Sequence, residues 1–242
     1  MRAAVISDVH GNLAALEIVL SAVDEAAPDE LWCLGDLAGY GARPEECAAT
    51  VLDRADICLC GNHDMVVTGV LPSRSFTHDA AAAATWAQQV MSAPTLDRLR
   101  TLEPSGERAG VALYHASARD PVWEYVIDER TAAANITASG RPLTLVGHSH
   151  VPLIYTAGGT RGTHGGYAME STVELGDSTH LLNPGSVGQP RDGDPRASFL
   201  LLDTDRGTAT WRRLEYDIAR TQREITEAGL PPTLAYRLAE GR

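Results

Sequence analysis

Five short segments carry nearly every side chain suited to catalysis: Asp8-Val9-His10, Gly35-Asp36, Gly61-Asn62-His63-Asp64, His115 and Gly147-His148-Ser149-His150. Together they offer carboxylates, imidazoles and one carboxamide, with no thiolate. Such a mixed nitrogen and oxygen donor set suits Mn, Fe, Zn or Co, and a carboxylate can bridge two ions. Residues i and i+2 of an extended segment point the same way. Asp8 and His10 can therefore turn toward one site, as can His148 and His150. One ion would leave several of Asp8, His10, Asp36, Asn62, His115, His148 and His150 without a role; two would use all seven. Each block also has an ordinary reading. Asp8-Val9-His10 could be a strand end before a helix capped by Asn12, Gly35-Asp36 a common turn, and His115 a core histidine. Their occurrence together, in order and each after an apolar run, favours the metal reading.

Those apolar runs are the elements that must position the ligands. Arg2 to Ser7, Leu31 to Leu34 and Ile57 to Cys60 read as short buried strands, with helical spacing over Leu13 to Val23 and Glu45 to Leu52 between them. Short continuous apolar strands alternating with helices predict a parallel sheet covered on both faces. Asp79 to Met91 is alanine-rich and predicts a helix, with Trp86 as a core or subunit contact. A short helix follows over Asp97 to Leu102. Val111 to Tyr114 and Leu143 to Val146 are further strands, separated by a helix over Glu129 to Ala138. After His150 the texture changes. Ile154 to Tyr155, Thr172 to Leu175, Leu181 to Leu182, Phe199 to Leu202 and Thr208 to Tyr216 predict an antiparallel or mixed second sheet, before a helix over Ile218 to Ala228 and a short helical tail. The ligand blocks all follow strands, and the crevice beyond the carboxyl ends of the strands is where open α/β sheets bind ligands. No long linker or internal repeat divides the 242 residues, so residues 1–242 are expected to form a single domain.

Bulk properties narrow the function classes. The formal net charge of −12 argues against polymeric nucleic acid as a partner. No apolar run approaches the length of a membrane span, and the start has no signal-peptide pattern. Cys33, Cys47, Cys58 and Cys60 fit reduced core positions rather than a disulfide framework or a zinc pair. A cytoplasmic location is expected, with a homo-oligomer left open.

The blocks D-x-H, G-D, G-N-H-D, H and G-H-x-H, intact here, resemble those of the calcineurin-like metallophosphoesterase superfamily. The stretches Gly35-Asp36-Leu37-Ala38-Gly39-Tyr40-Gly41 and Asn183-Pro184-Gly185-Ser186-Val187-Gly188 are similar to a compact bacterial and archaeal phosphodiesterase branch, which includes asymmetric diadenosine-tetraphosphate hydrolase-like proteins. The resemblance implies a four-layer α/β/β/α sandwich of two mixed sheets flanked by helices. It also implies two divalent metal ions, one held by Asp8, His10 and His150, the other by Asn62, His115 and His148, with Asp36 shared. His63 matches a histidine that is not a ligand and acts as general acid or electrostatic partner of the leaving group. The implied reaction is attack by a metal-bridging hydroxide on a small phosphodiester, nucleotide or dinucleoside polyphosphate.

Further residues carry weaker expectations. Asn12, Tyr40 and Arg191 are candidate substrate contacts, each with a plain alternative: a helix cap, loop packing, and a salt bridge with a nearby aspartate. Arg196 shares the last pair of readings. Asp64 is expected to orient its turn. His78, His164 and His180 fall outside the motif and read as surface or structural. The glycine-rich stretch Gly158 to Gly166 reads as a loop near the rim. Two other functions of the same fold compete. A protein serine/threonine phosphatase would need a longer block where Gly39-Tyr40-Gly41-Ala42-Arg43 stands, and a non-catalytic scaffold would not need His63 and every ligand retained.

Overall fold

The computed structural model describes residues 1–158 and 162–242. β1 (Arg2–Ile6) sets the layering. Ala3 and Val5 face one apolar layer and Ala4 and Ile6 another, so the strand is buried on both faces. It pairs in parallel with β2 (Glu30–Cys33), which pairs in parallel with β3 (Ile57–Cys58). The links between them are α1 (Leu13–Ala26) and α2 (Pro44–Arg54). α1 turns Leu16, Val19, Leu20 and Val23 onto the sheet, the spacing expected of one helical face.

A second sheet is built around β5 (Val111–Tyr114), β6 (Leu143–Val146) and β10 (Thr179–Pro184), all parallel. β4 (Ser105–Arg108) closes one edge antiparallel to β5. β7 (Pro152–Ala157) and β8 (Thr163–Tyr167) complete the other. The first sheet is finished by β11 (Ala197–Asp203), β12 (Thr208–Leu214) and β9 (Thr172–Glu174), each antiparallel to its neighbour. Two six-stranded mixed sheets result, in the orders β3-β2-β1-β11-β12-β9 and β4-β5-β6-β10-β7-β8.

Between the sheets lies a layer including Trp32, Leu113, Leu145, Leu182, Leu200 and Trp211. The indole of Trp211 donates to the Asn183 carbonyl at 2.8 Å, satisfying its one polar group across that layer. Outside the first sheet stand α1, α2, α4 (His78–Val90) and α5 (Ala93–Arg100); outside the second stands α6 (Glu129–Ser139). The alanines of α4 are its buried face, Ala80, Ala83, Ala84 and Ala87, and Trp86 packs into the core beside them. α7 (Ile218–Glu227) and α8 (Pro232–Tyr236) end the chain against α4. This is the four-layer sandwich that the resemblance implied.

Two expectations need correction. The strands after His150 do not form a sheet of their own: β11 lies along the free edge of β1, and β7, β8 and β10 join the second sheet. Pairing partners are set by packing between distant segments, which single-strand patterns do not encode. The glycine-rich stretch is only partly a loop, because Thr163–Tyr167 pairs with β7; residues 159–161 lie outside the described residues. A short helix, α3 (Asn62–Val67), begins within the Gly61-Asn62-His63-Asp64 block itself. Among the described residues no helix is long and apolar enough to cross a membrane.

Candidate active site

The chain leaves β1, β2, β3, β5 and β6 at their carboxyl ends and turns sharply each time. Asp8, His10, Asp36, His148 and His150 all have φ between 48° and 61°. Non-glycine residues rarely adopt this left-handed backbone, and it clusters where surrounding structure holds a site in place. Here loops that follow strands of both sheets are stitched together. The Val187 and Gly188 amides donate to the carbonyls of Ser7 and Asp8 at 3.0 Å, and the Asn183 carboxamide donates to the Gly147 carbonyl at 2.8 Å. A Cβ on Gly188 would sit 1.8 Å from the Val9 oxygen, so only glycine allows this approach. Gly61 is equally constrained: a Cβ there would meet Asp36 Oδ1 at 1.9 Å.

The two central carboxylates are anchored from one side only. Asp8 Oδ2 accepts from the His148 amide at 3.1 Å, and Asp36 Oδ1 accepts from the His63 amide at 2.9 Å. Their other oxygens, Asp8 Oδ1 and Asp36 Oδ2, are buried with no hydrogen-bond partner among the described residues. Asp8 Oδ1 faces His150 Nε2 at 3.4 Å and His10 Nε2 at 3.9 Å. Asp36 Oδ2 faces His10 Nε2 at 3.5 Å and His115 Nε2 at 3.6 Å.

Three imidazoles are fixed from behind. His10, His115 and His150 direct Nδ1 to the carbonyls of Ala38 (3.1 Å), Leu34 (2.9 Å) and Gln189 (2.6 Å). With Nδ1–H donating, each Nε2 presents a lone pair to the centre, the usual arrangement of a metal-ligating histidine. The consequences are close approaches with no proton to share: His10 Nε2 to His150 Nε2 at 3.0 Å, and His115 Nε2 to Asn62 Oδ1 at 3.1 Å. His148 Nε2 is also buried and has no partner among the described residues.

Donor atoms of Asp8, His10, Asp36 and His150 lie within 4.8 Å of one another, as do those of Asp36, His115 and His148. Asp36 belongs to both groups, and Asn62 adjoins the second through His115. Orphaned buried oxygens and lone pairs pointed at one another are costly in a dry site. Two divalent cations would satisfy them all, so the residues present fit the dinuclear centre on which this family depends.

Burial raises Asp8 to about 7, and burial together with the Asp64 carboxylate raises Asp36 well above the ordinary range. Burial holds His10, His148 and His150 well below the usual imidazole value. Near neutrality, then, protons compete with a cation at the carboxylates and not at these imidazoles. Cation uptake at pH 6 to 7 should release protons, and apparent affinity should rise about tenfold per pH unit for each proton displaced. Calorimetric titration in two buffers of different ionisation enthalpy measures this. Uptake without proton release would contradict it.

His63 lies against this centre. Its ring packs between Tyr40 and Phe76, with centroids 4.4 and 4.3 Å away, and its Nδ1 is buried with no partner among the described residues. Burial, then the nearby Arg191 charge, lowers its pKa well below the usual value. Asp64 is fully buried and orients the turn, as expected. One oxygen accepts from the Leu37 and Ala38 amides, the other from Gly61, all at 3.0 Å.

These residues open into a cleft of about 200 Å³, lined by Asp36, Asn62, His63, His148 and His150 on its floor and by Tyr40, Phe76, Trp123, Tyr125 and Arg191 on its walls. Of the candidate substrate contacts, Arg191 and Tyr40 are here. Tyr40 has its ring packed on His10 and His63 and its hydroxyl accepting from Arg191 at 3.1 Å. Asn12 is not in the cleft, and that expectation is corrected. Its Oδ1 caps α1 at Ala15 and accepts from Thr221, and its Nδ2 donates to the Gly188 carbonyl, so the side chain is held in packing away from the cleft lining. Arg196 is paired with Asp194 at 2.7 Å and Glu170 at 3.2 Å. His78 and His164 are exposed, and His180 is bonded to Thr156 and the Leu175 carbonyl, all apart from the centre. Sequence reasoning missed Phe76, Trp123 and Tyr125. Tyr125 stacks on His148 at 4.2 Å while remaining 46% exposed. The signal was an aromatic pair in the loop after the strand that carries His115.

Residues 1–207 match the calcineurin-like phosphoesterase superfamily domain. An uncharacterized protein of Methanocaldococcus jannaschii is 35% identical over 246 residues, covering 99% of this chain and 98% of that protein. A metallophosphoesterase of Sphaerobacter thermophilus, of known crystal structure, is 40% identical and superposes with a TM-score of 0.88 over 100% of this chain and 99% of its own. A symmetrical bis(5'-nucleosyl)-tetraphosphatase of Actinobacillus pleuropneumoniae is 37% identical over 70 residues, 28% of this chain and 26% of that protein. With two buried ligand groups sharing one aspartate at the strand ends of a matching sandwich, the chain belongs to the calcineurin-like phosphoesterase superfamily and is a metal-dependent phosphoric ester hydrolase.

Proposed function

We propose that the chain hydrolyses a small phosphodiester, nucleotide or dinucleoside polyphosphate in the cytoplasm, acting as a single domain of residues 1–242. The observation that carries this reading is the pair of buried, unpartnered carboxylate oxygens of Asp8 and Asp36 among lone pairs of fixed imidazoles. Asp8, His10 and His150 would hold one ion, Asn62, His115 and His148 the other, and Asp36 both. Bound there, a pair drawn from Mn, Fe, Zn or Co supplies Lewis acidity toward phosphoryl oxygens and makes hydroxide available near neutral pH.

The chain's own groups do the rest. Arg191 offers a guanidinium to the phosphate from the cleft wall. His63 stands over the floor, where it gives a proton to the departing oxygen or stabilises its charge. Burial keeps the ring neutral, and a bound anionic phosphate opposes that effect, so substrate binding favours uptake of a proton from solvent by His63. Phe76, Trp123 and Tyr125 offer apolar faces to an organic group such as a nucleobase. Tyr40 supports Arg191 and His63 rather than the substrate directly. The partial likeness to a bis(5'-nucleosyl)-tetraphosphatase and the net charge of −12 both favour small substrates over polymeric nucleic acid.

The test is turnover by the metal-reconstituted protein across bis-p-nitrophenyl phosphate, 2',3'-cyclic and 3',5'-cyclic nucleotides, diadenosine tetraphosphate and a phosphopeptide. The reading expects turnover of at least one small diester or nucleotide. Fast cleavage of the phosphopeptide alone would replace it with protein phosphatase activity.

A further inference from the structure

Of the four imidazoles among the candidate ligands, those of His10, His115 and His150 are fixed by the main-chain carbonyls of Ala38, Leu34 and Gln189. His148 is held differently. Its aromatic neighbours are the His115 ring, tilted at 5.0 Å, and the Tyr125 ring, which stacks on it with centroids 4.2 Å and planes 20° apart. Tyr125 stands on residues 116–128, the loop that joins His115 at the end of β5 to α6. The Trp123 main chain of this loop also opposes the fall in proton affinity that burial imposes on His148. We propose that Tyr125 is a positioning residue for His148, so that the loop walling the cleft also sets the affinity of the second ion position. The proposal rests on the dinuclear reading above and adds to that centre a control that is not itself a ligand.

The loop is built to hold that ring still. Asp120 Oδ1 accepts from the Val122 and Trp123 amides, both at 3.1 Å, which closes the turn before Tyr125. Glu124 turns toward α6, where its Oε2 accepts from Ser117 Oγ at 2.7 Å and from Asn135 Nδ2 at 2.9 Å. Asn135 is fully buried on that helix, and its Oδ1 accepts from the Arg119 amide at 3.1 Å, so one side chain ties both sides of the turn. On the other side of Tyr125, Val126 packs with Ala132 and Ile136 of the same helix. Tyr125 therefore stands between two anchored neighbours although it is 46% exposed. A ring stacked on an imidazole limits its rotation, and a ligand already in place loses less freedom when a cation arrives. Tyr125 also lines the cleft, so whatever steadies it there steadies His148. Occupancy of the cleft and of the second ion position then support one another.

The experiment is calorimetric titration of the metal-free wild-type, Tyr125→Ala and Tyr125→Phe proteins with Mn²⁺. Anomalous peak heights from crystals at graded Mn²⁺ assign each affinity to a position. Tyr125→Ala should weaken the ion among Asn62, His115 and His148 about tenfold, the usual cost of losing a partner behind a metal ligand, and the ion among Asp8, His10 and His150 by less than about twofold. Tyr125→Phe keeps the stacked ring and should bind both ions as the wild type does. Weakening by Tyr125→Ala that is absent, equal at the two positions or greater at the first would overturn the positioning role. So would a Tyr125→Phe protein that behaves as Tyr125→Ala does. A wild-type protein that takes up no second ion would instead contradict the dinuclear reading itself.

Discussion

Asp36→Asn should reduce activity by at least ~10³-fold, because the variant alters the one residue common to both donor groups, the proposed shared ligand, and several kcal/mol of charge stabilisation would go with it. The shape of the side chain is kept. Asn Oδ1 can still accept the His63 amide now bonded at 2.9 Å, so the turn that carries Asn62 and His63 stays in place. Polarity at the other terminus reverses. An amide NH₂ would stand where Asp36 Oδ2 faces the Nε2 atoms of His10 and His115 at 3.5 and 3.6 Å, donating to lone pairs meant for cations. Metal content should therefore fall from two ions per chain to at most one. The effect on folding has the opposite sign. The folded carboxyl has a raised pKa, so its contribution to stability is present at low pH and lost as pH rises through that value. A neutral amide avoids this loss, and the metal-free variant should melt no lower than the metal-free parent at pH 8. A variant that binds two ions and retains activity would contradict the shared role of Asp36.

His63→Ala should keep both ions and lose about 10²–10⁴ in turnover of alkyl esters, the usual range for a positioned acid. The centre survives because residue 63 holds Asp36 through its backbone amide, which alanine retains. What disappears is the ring between Tyr40 and Phe76, with its unpartnered Nδ1. The loss should be smaller for p-nitrophenyl esters, whose leaving oxygen needs little protonation. Parallel kinetics on alkyl and p-nitrophenyl substrates, with metal content measured on the same samples, separate the outcomes. Loss of metal, or equal losses on both substrates, would remove the assigned role.

Much of this was legible in the sequence for a physical reason. The ligand blocks are short, lie directly after buried apolar strands and contain residue types that are expensive to bury unpaired, so Asp8, Asp36 and His148 announce a site wherever the fold brings strand ends together. The helices over Leu13–Ala26 and His78–Val90 were readable from spacing and alanine content. The pairing of β11 along β1 was not, because both strands are apolar on each face and either could have joined several partners. The carbonyls of Leu34, Ala38 and Gln189 that set the imidazole tautomers are backbone groups, invisible in residue type. Asn12 misled because a carboxamide next to a ligand block looks the same whether it caps a helix or faces a phosphate; its three partners decide the matter.

The central claim is most directly tested by anomalous diffraction from crystals equilibrated with Mn²⁺. The account predicts two peaks per chain, one among Asp8, His10 and His150, the other among Asn62, His115 and His148, with Asp36 between them. A single peak, or peaks away from Asp36, would contradict it.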